Sequence, residues 1–173
     1  MRIAVLGPLE VRRDTGDPVA VPGAKERLLL AVLAADTPDV VSTDRIVETL
    51  WNGDRPTSAR GSLQVHLVHL RSALEPDRPR GSTGRYILRR GSGYSLVADR
   101  DDVDALRFTD LATRGRGLLA AGDAAGAART LAAALDLWRG EPYGDWPGAD
   151  FADTERRRGP RRRATPGRGQ PGR

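Results

Sequence analysis

The residue pattern predicts an α+β head joined to an all-α helical segment. Three observations lead there. Leu63, Leu67, Leu70 and Leu74 recur at the spacing of a single helical stripe, late in a run that begins with short strand-like segments. An alternating apolar–polar stretch follows at 86–97, interrupted by Arg90-Gly91-Ser92-Gly93, the pattern of a β-hairpin. From Asp101 the chain turns alanine-rich, with leucines at helical spacing and no further alternation.

Each element has its own signal. Residues 2–6 and 9–12 read as short strands broken at Gly7-Pro8, and 18–21 as a third after the turn-like Asp14-Thr15-Gly16-Asp17. From Ala24 the pattern is helical, with Leu28, Leu29, Val32 and Leu33 in a stripe that ends before Asp36-Thr37-Pro38. Thr43 is expected to cap a second helix, with Asp44 in its first turn and Ile46, Val47 and Leu50 facing inward. Trp51-Asn52-Gly53-Asp54 ends it. The leucine-striped helix is expected over 57–74, opened by Pro56 in its first turn. After a loop at 75–84 come Tyr86-Ile87-Leu88 and Tyr94-Ser95-Leu96-Val97, the two hairpin strands. Strands, three helices and a hairpin in this order make residues 1–98 a winged helix-turn-helix.

In the second segment Asp101, Asp102 and Asp104 suit a helix N-terminus. Leu106, Leu111, Leu118 and Leu119 line one helix, Gly122-Asp123 supplies a turn and cap, and Ala127, Leu131, Leu135 and Trp138 line a second. This is one antiparallel pair of tetratricopeptide type over 101–158. Such a pair does not bury its own apolar face alone. Trp138, Tyr143, Trp146 and Phe151 therefore either fold back over it or leave an apolar patch that seeks a partner. Residues 159–173, almost wholly Gly, Pro and Arg, are expected to be a disordered tail.

Charge and composition narrow the function. The 173 residues carry a net charge of +5, divided as +3 over 1–98, −3 over 99–158 and +5 over 159–173. A basic excess is consistent with nucleic acid as a partner. There is no cysteine, so disulfides, cysteine zinc sites and cysteine nucleophiles are excluded. No apolar run approaches the ~20 residues of a membrane span, and the start Met-Arg-Ile-Ala-Val-Leu-Gly lacks the features of a secretion signal. The cytoplasm is the expected compartment, with no membrane partner. No nucleophile–base set or paired carboxylates stand out, so no enzyme activity and no cofactor are expected. His66 and His69 lie three residues apart, but neither has Asp, Glu or Cys four residues away, so no metal is expected.

The face opposite the leucine stripe is the most telling surface. Gly61, Val65, Val68, His69 and Ser72 point away from the leucines, with Gln64 and Arg71 on one flank and no acid before Glu75. A solvated helix face would carry Glu and Lys. Two readings fit: a helix buried on both sides, or one that enters the DNA major groove. In the groove small residues permit close approach, Gln and His reach base edges, and valines meet thymine methyls. Arg89 and Arg90, expected at the hairpin turn, suit phosphate contact or simply a charged tip.

Leu-Gly-Pro-Leu-Glu-Val at 6–11, Leu-Trp at 50–51, Ser-Leu-Gln-Val-His-Leu-Val-His-Leu-Arg-Ser-Ala-Leu at 62–74 and Arg-Gly-Ser-Gly-Tyr at 90–94 resemble the OmpR-type winged helix. Joined to Leu-Trp-Arg-Gly-Glu-Pro-Tyr-Gly-Asp at 137–145, they resemble the actinobacterial SARP regulators (Streptomyces antibiotic regulatory protein family). These couple such a head to a bacterial transcriptional activation domain, here read as a partial one over 101–158. The resemblance implies binding to direct repeats near promoters, often as a dimer, recruitment of RNA polymerase, and control of antibiotic and other secondary-metabolite genes. By match of motif, Gln64, Val68 and His69 fall where base-facing residues lie. Trp51, Arg60, Ser62, His66, Arg71, Arg90 and Tyr94 fall where phosphate contacts lie. Two alternatives stay open: a protein-interaction module centred on the helix pair, and a truncated regulator fragment that does not activate.

Overall fold

A computed structural model describes residues 1–79 and 81–147. Strands β1 (Arg2–Ala4) and β2 (Glu10–Arg12) form an antiparallel pair with Ile3 opposite Val11. Both are buried while Arg2, Glu10 and Arg12 face out, the period-two pattern of a half-buried sheet. The third strand expected at 18–21 is reduced to one bridge between Arg12 and Pro18. Pro18 and Pro22 have no N–H to extend a ladder, and only Val19 donates, to Val11 O at 2.8 Å.

Helix α1 (Ala24–Asp36) is more deeply placed than one apolar stripe implies: every residue from Leu29 to Ala34 is buried. Strand β3 (Val41–Ser42) was not expected. It leads directly into α2 (Thr43–Trp51), and the cap is Ser42, whose Oγ accepts the Arg45 N–H at 3.2 Å. Thr43, the expected cap, instead donates its hydroxyl to Ser92 O at 2.6 Å, because the strand has already fixed the residue before it. Asn52 ends α2 in the left-handed conformation.

Helix α3 (Ala59–Leu74) begins later than expected, since Pro56 O accepts the Ala59 N–H in a turn before it. Leu63, Leu67, Leu70 and Leu74 are all buried against the head's core. Strands β4 (Ile87–Arg90) and β5 (Gly93–Leu96) form the hairpin, closed by Gly91-Ser92 alone. Arg89 and Arg90 therefore lie in β4, not in the turn. The hairpin gains β3 as a third strand, in the order β3-β5-β4. Gly93 makes this possible: a Cβ there would lie 2.2 Å from Val41 O.

A 3-10 turn (Arg100–Asp102) precedes the antiparallel helices α4 (Asp104–Ala120) and α5 (Ala124–Leu135). Asp123 caps α5 as expected, accepting the Gly126 N–H at 2.8 Å. Leu119, Leu135 and Trp138 remain exposed, so the pair leaves apolar surface open. Trp138 meets Phe108 edge-on at 5.6 Å. Tyr143 packs into the head's core, and the partly buried Trp146 packs against it. Phe151 and the tail at 159–173 lie outside the described residues.

The division expected at 98–101 is crossed by many bonds. The Asp104 carboxylate accepts the N–H groups of Val5 (2.8 Å) and Leu6 (2.9 Å). Arg139 N–H donates to Leu6 O and Tyr143 N–H to Val5 O. Asp145 accepts from Leu9 N–H at 2.9 Å and pairs with Arg27 at 2.6 Å. The N-terminal hairpin thus joins the head to the helix pair. Among the described residues no helix is long and apolar enough to cross a membrane.

Candidate nucleic-acid interface

The leucine side of α3 is consumed by the core, and the opposite side is open. Gly61, Gln64, Val65, Val68, His69 and Ser72 are all exposed. Val65 and Val68 keep 51% and 53% of their surface, a poor solvent face unless something covers it. The helix is not buried on both sides, which removes the alternative left open by its sequence.

The three residues expected to face bases lie together on this surface. Gln64 donates through Nε2 to the Tyr94 hydroxyl at 2.9 Å, which ties the helix side chain to β5. Val68 is unobstructed. His69 is exposed on its outer side, while its Nδ1 lies 3.1 Å from Glu26 Oε1.

The residues expected at phosphates divide into two groups. Arg60, Arg89 and Arg90 are exposed, Arg60 in an ion pair with Asp44 at 2.8 Å. Arg89 and Arg90 are adjacent in β4 and so project to opposite faces of the hairpin. Ser62 is half-buried near the start of α3. The others make contacts within the head. Trp51 is half-buried, with the Lys25 ammonium 4.7 Å above its ring. His66 lies against that ring at 6.0 Å, its Nδ1 3.0 Å from Glu26 Oε1.

Two of this second group also hydrogen-bond within the head. Arg71 donates through both Nε (3.2 Å) and Nη2 (2.9 Å) to Ile87 O, clamping α3 to the hairpin. Burial depresses its pKa, with the neighbouring Arg78 adding to the effect. Its guanidinium is a bracket within the head. Tyr94 keeps only 3% of its surface and supports Gln64 from below rather than presenting a hydroxyl outward. Spacing along the chain did not reveal either role, because both partners are more than a dozen residues away.

The residue that sequence reasoning missed is Glu26. It is buried on α1 and approaches both histidines of α3. Burial pushes its carboxyl up, but hydrogen bonds from His66, from its own backbone and from His69 outweigh this and hold it below the ordinary range. Among the described residues no group of three side chains is arranged to hold a metal ion.

Residues 18–96 match the family model described as "Transcriptional regulatory protein, C terminal", and residues 103–165 match the "Bacterial transcriptional activator domain". The chain belongs to the SARP family. Its SARP relatives include the regulatory protein AfsR of Streptomyces coelicolor, 31% identical over 90% of this chain and 15% of AfsR. The transcriptional regulatory protein MoaR1 of Mycobacterium tuberculosis is 35% identical over 82% of this chain and 45% of MoaR1. A solved structure of Mycobacterium tuberculosis EmbR in complex with a low-affinity phosphopeptide superposes with a TM-score of 0.79 at 31% identity. That match covers 88% of this chain and 40% of EmbR, so the SARP-type head and the start of the helical segment share one architecture. The chain spans about half or less of the length of the curated relatives it matches.

Proposed function

We propose that the chain is a sequence-specific DNA-binding transcription regulator, an activator of secondary-metabolite genes that works in the cytoplasm on promoter DNA. The observation that carries this reading is the exposed, acid-free face of α3. In the proposed complex α3 lies in the major groove. Gln64, Val68 and His69 face bases, and Arg60, Ser62, Arg89 and Arg90 fix register on phosphates. The proposal includes binding as a dimer to direct repeats and contact with RNA polymerase, which the resemblance to the SARP family supports. The open apolar surface at Leu119, Leu135 and Trp138 supports a second role for the helix pair, as the part that meets a protein partner. No step of the reading requires catalysis.

Gel-shift titration of the full chain against genomic fragments, followed by site selection, tests the proposal. Discrete retained fragments are expected, and no retention at low salt would overturn it. Gln64→Ala is expected to cost about 1–3 kcal/mol on the selected site and little on scrambled DNA. An equal loss on both would remove Gln64 from the base contacts. Arg90→Ala is expected to weaken all sequences alike and to lower the slope of log affinity against log salt by about one. Anisotropy titrations at several salt concentrations measure that slope, and an unaltered value would place Arg90 away from the backbone.

A further inference from the structure

The acid-free face of α3 has one acid beneath it. Glu26 lies at the third position of α1, is only 6% exposed, and brings a single oxygen, Oε1, to the Nδ1 atoms of both His66 and His69. An ionised carboxylate only accepts hydrogen bonds, so each ring must carry its hydrogen on Nδ1. In a neutral imidazole Nε2 is then an acceptor. For His66 that atom belongs to a half-buried ring beside Trp51. For His69 the side chain is 56% exposed, on the open side of α3.

The chain makes room for this arrangement. Gly23, the residue before α1, has φ +67°. A Cβ there would lie 2.3 Å from Glu26 Oε2. Any other residue would strain the backbone and push the carboxylate off its place. The N-terminal turn of α1 also favours a negative charge at this position.

We propose that Glu26 is a specificity-determining positioning residue, which fixes His69 with Nε2 as an acceptor so that it reads a base amino group in the major groove. The base amines available there are N4 of cytosine and N6 of adenine. A basic side chain in the same place would instead read the acceptors of guanine. The inference rests on the DNA-binding reading above and adds to it which bases His69 selects and why.

The test has two arms. The first needs no DNA. Long-range nitrogen–proton NMR spectra of the full chain at about pH 8, above the ordinary histidine pKa of about 6.5, report the tautomer of each ring. Both histidines are expected as Nδ1–H forms, and Glu26→Gln is expected to shift His69 toward Nε2–H. An Nε2–H tautomer for His69 in the unaltered protein overturns the proposal, whatever its affinity for DNA. The second arm is site selection. The unaltered protein is expected to prefer cytosine or adenine at one position, and both His69→Ala and Glu26→Gln to reduce that preference about five- to tenfold. Glu26→Gln added to His69→Ala should cause no further loss. If Glu26→Gln fails to fold, His69→Ala and the tautomer of the unaltered protein still decide: a base preference that survives His69→Ala overturns the proposal. Absence of any DNA selection by the unaltered protein overturns both readings. Selection that persists with the base preference intact in these variants overturns this one alone.

Discussion

Leu67→Ala is expected to lower the unfolding free energy of the chain by about 2–5 kcal/mol. Leu67 has no exposed surface, and it lies mid-way along the leucine stripe that seats α3 on the core beside α1. Truncation removes the transfer free energy of the lost methyl groups and leaves a cavity. Its neighbours Leu63 and Leu70, also fully buried, are fixed to the same rigid helix and cannot close over the gap. Urea unfolding followed by circular dichroism measures the effect as a lower midpoint with a similar slope. A loss under about 1 kcal/mol, the size of a volume-conserving swap, would mean that the stripe is not the main anchor of α3. Gel shifts below the unfolding midpoint should retain the selected site, because Leu67 does not reach the exposed face.

Asp104→Ala has an expected effect of similar size, and it acts at the seam between the head and the helix pair. Its carboxylate is the partner of two buried backbone N–H groups, at Val5 and Leu6. Removing it strands both, at roughly 1–3 kcal/mol for each buried donor left unpaired. Hydrogen exchange should quicken at those two amides and along β1, more than at α3. Equal exchange in variant and parent would refute the assigned role. The pH dependence has a definite sign. Burial raises the Asp104 carboxyl above its ordinary value of 3.8, and the two N–H bonds and Arg139 only partly offset this. A carboxyl raised in the folded state adds stability that is fully present below the unfolded value and is lost as pH rises through the folded one. The stability gap between parent and variant is therefore expected to narrow as pH climbs above 3.8, and a gap that widens would contradict the burial argument.

How much of this was legible in the sequence depended on the distance between partners. The leucine stripe of α3, the hairpin and the Asp123 cap rest on residues a few positions apart, and each was readable from its spacing. The cap of α2 was misread by one residue, since Ser42 and Thr43 are both good caps and only the pairing of β3 with β5 decides between them. The clamp from Arg71 to Ile87 was not readable, because a backbone carbonyl partner leaves no mark in composition. Glu26 was hidden for a similar reason. A lone acid in the first turn of a helix is usually a solvated charge favoured by the dipole, and nothing local reports that two histidines some forty residues later will close over it. The stitching of residues 104 and 139–145 to the N-terminal hairpin was equally silent.

That stitching carries a geometric consequence. If α3 is seated in a groove, the bonds at Val5 and Leu6 tie the helix pair to the head and favour one azimuth of α4 and α5 about the duplex axis. Moving the binding site by half a helical turn, about five base pairs, would then swing the exposed Leu119, Leu135 and Trp138 to the far side of the DNA. On the proposed reading, promoters bound by this chain would be phased, with spacings that differ by whole turns tolerated and half-turn insertions silent.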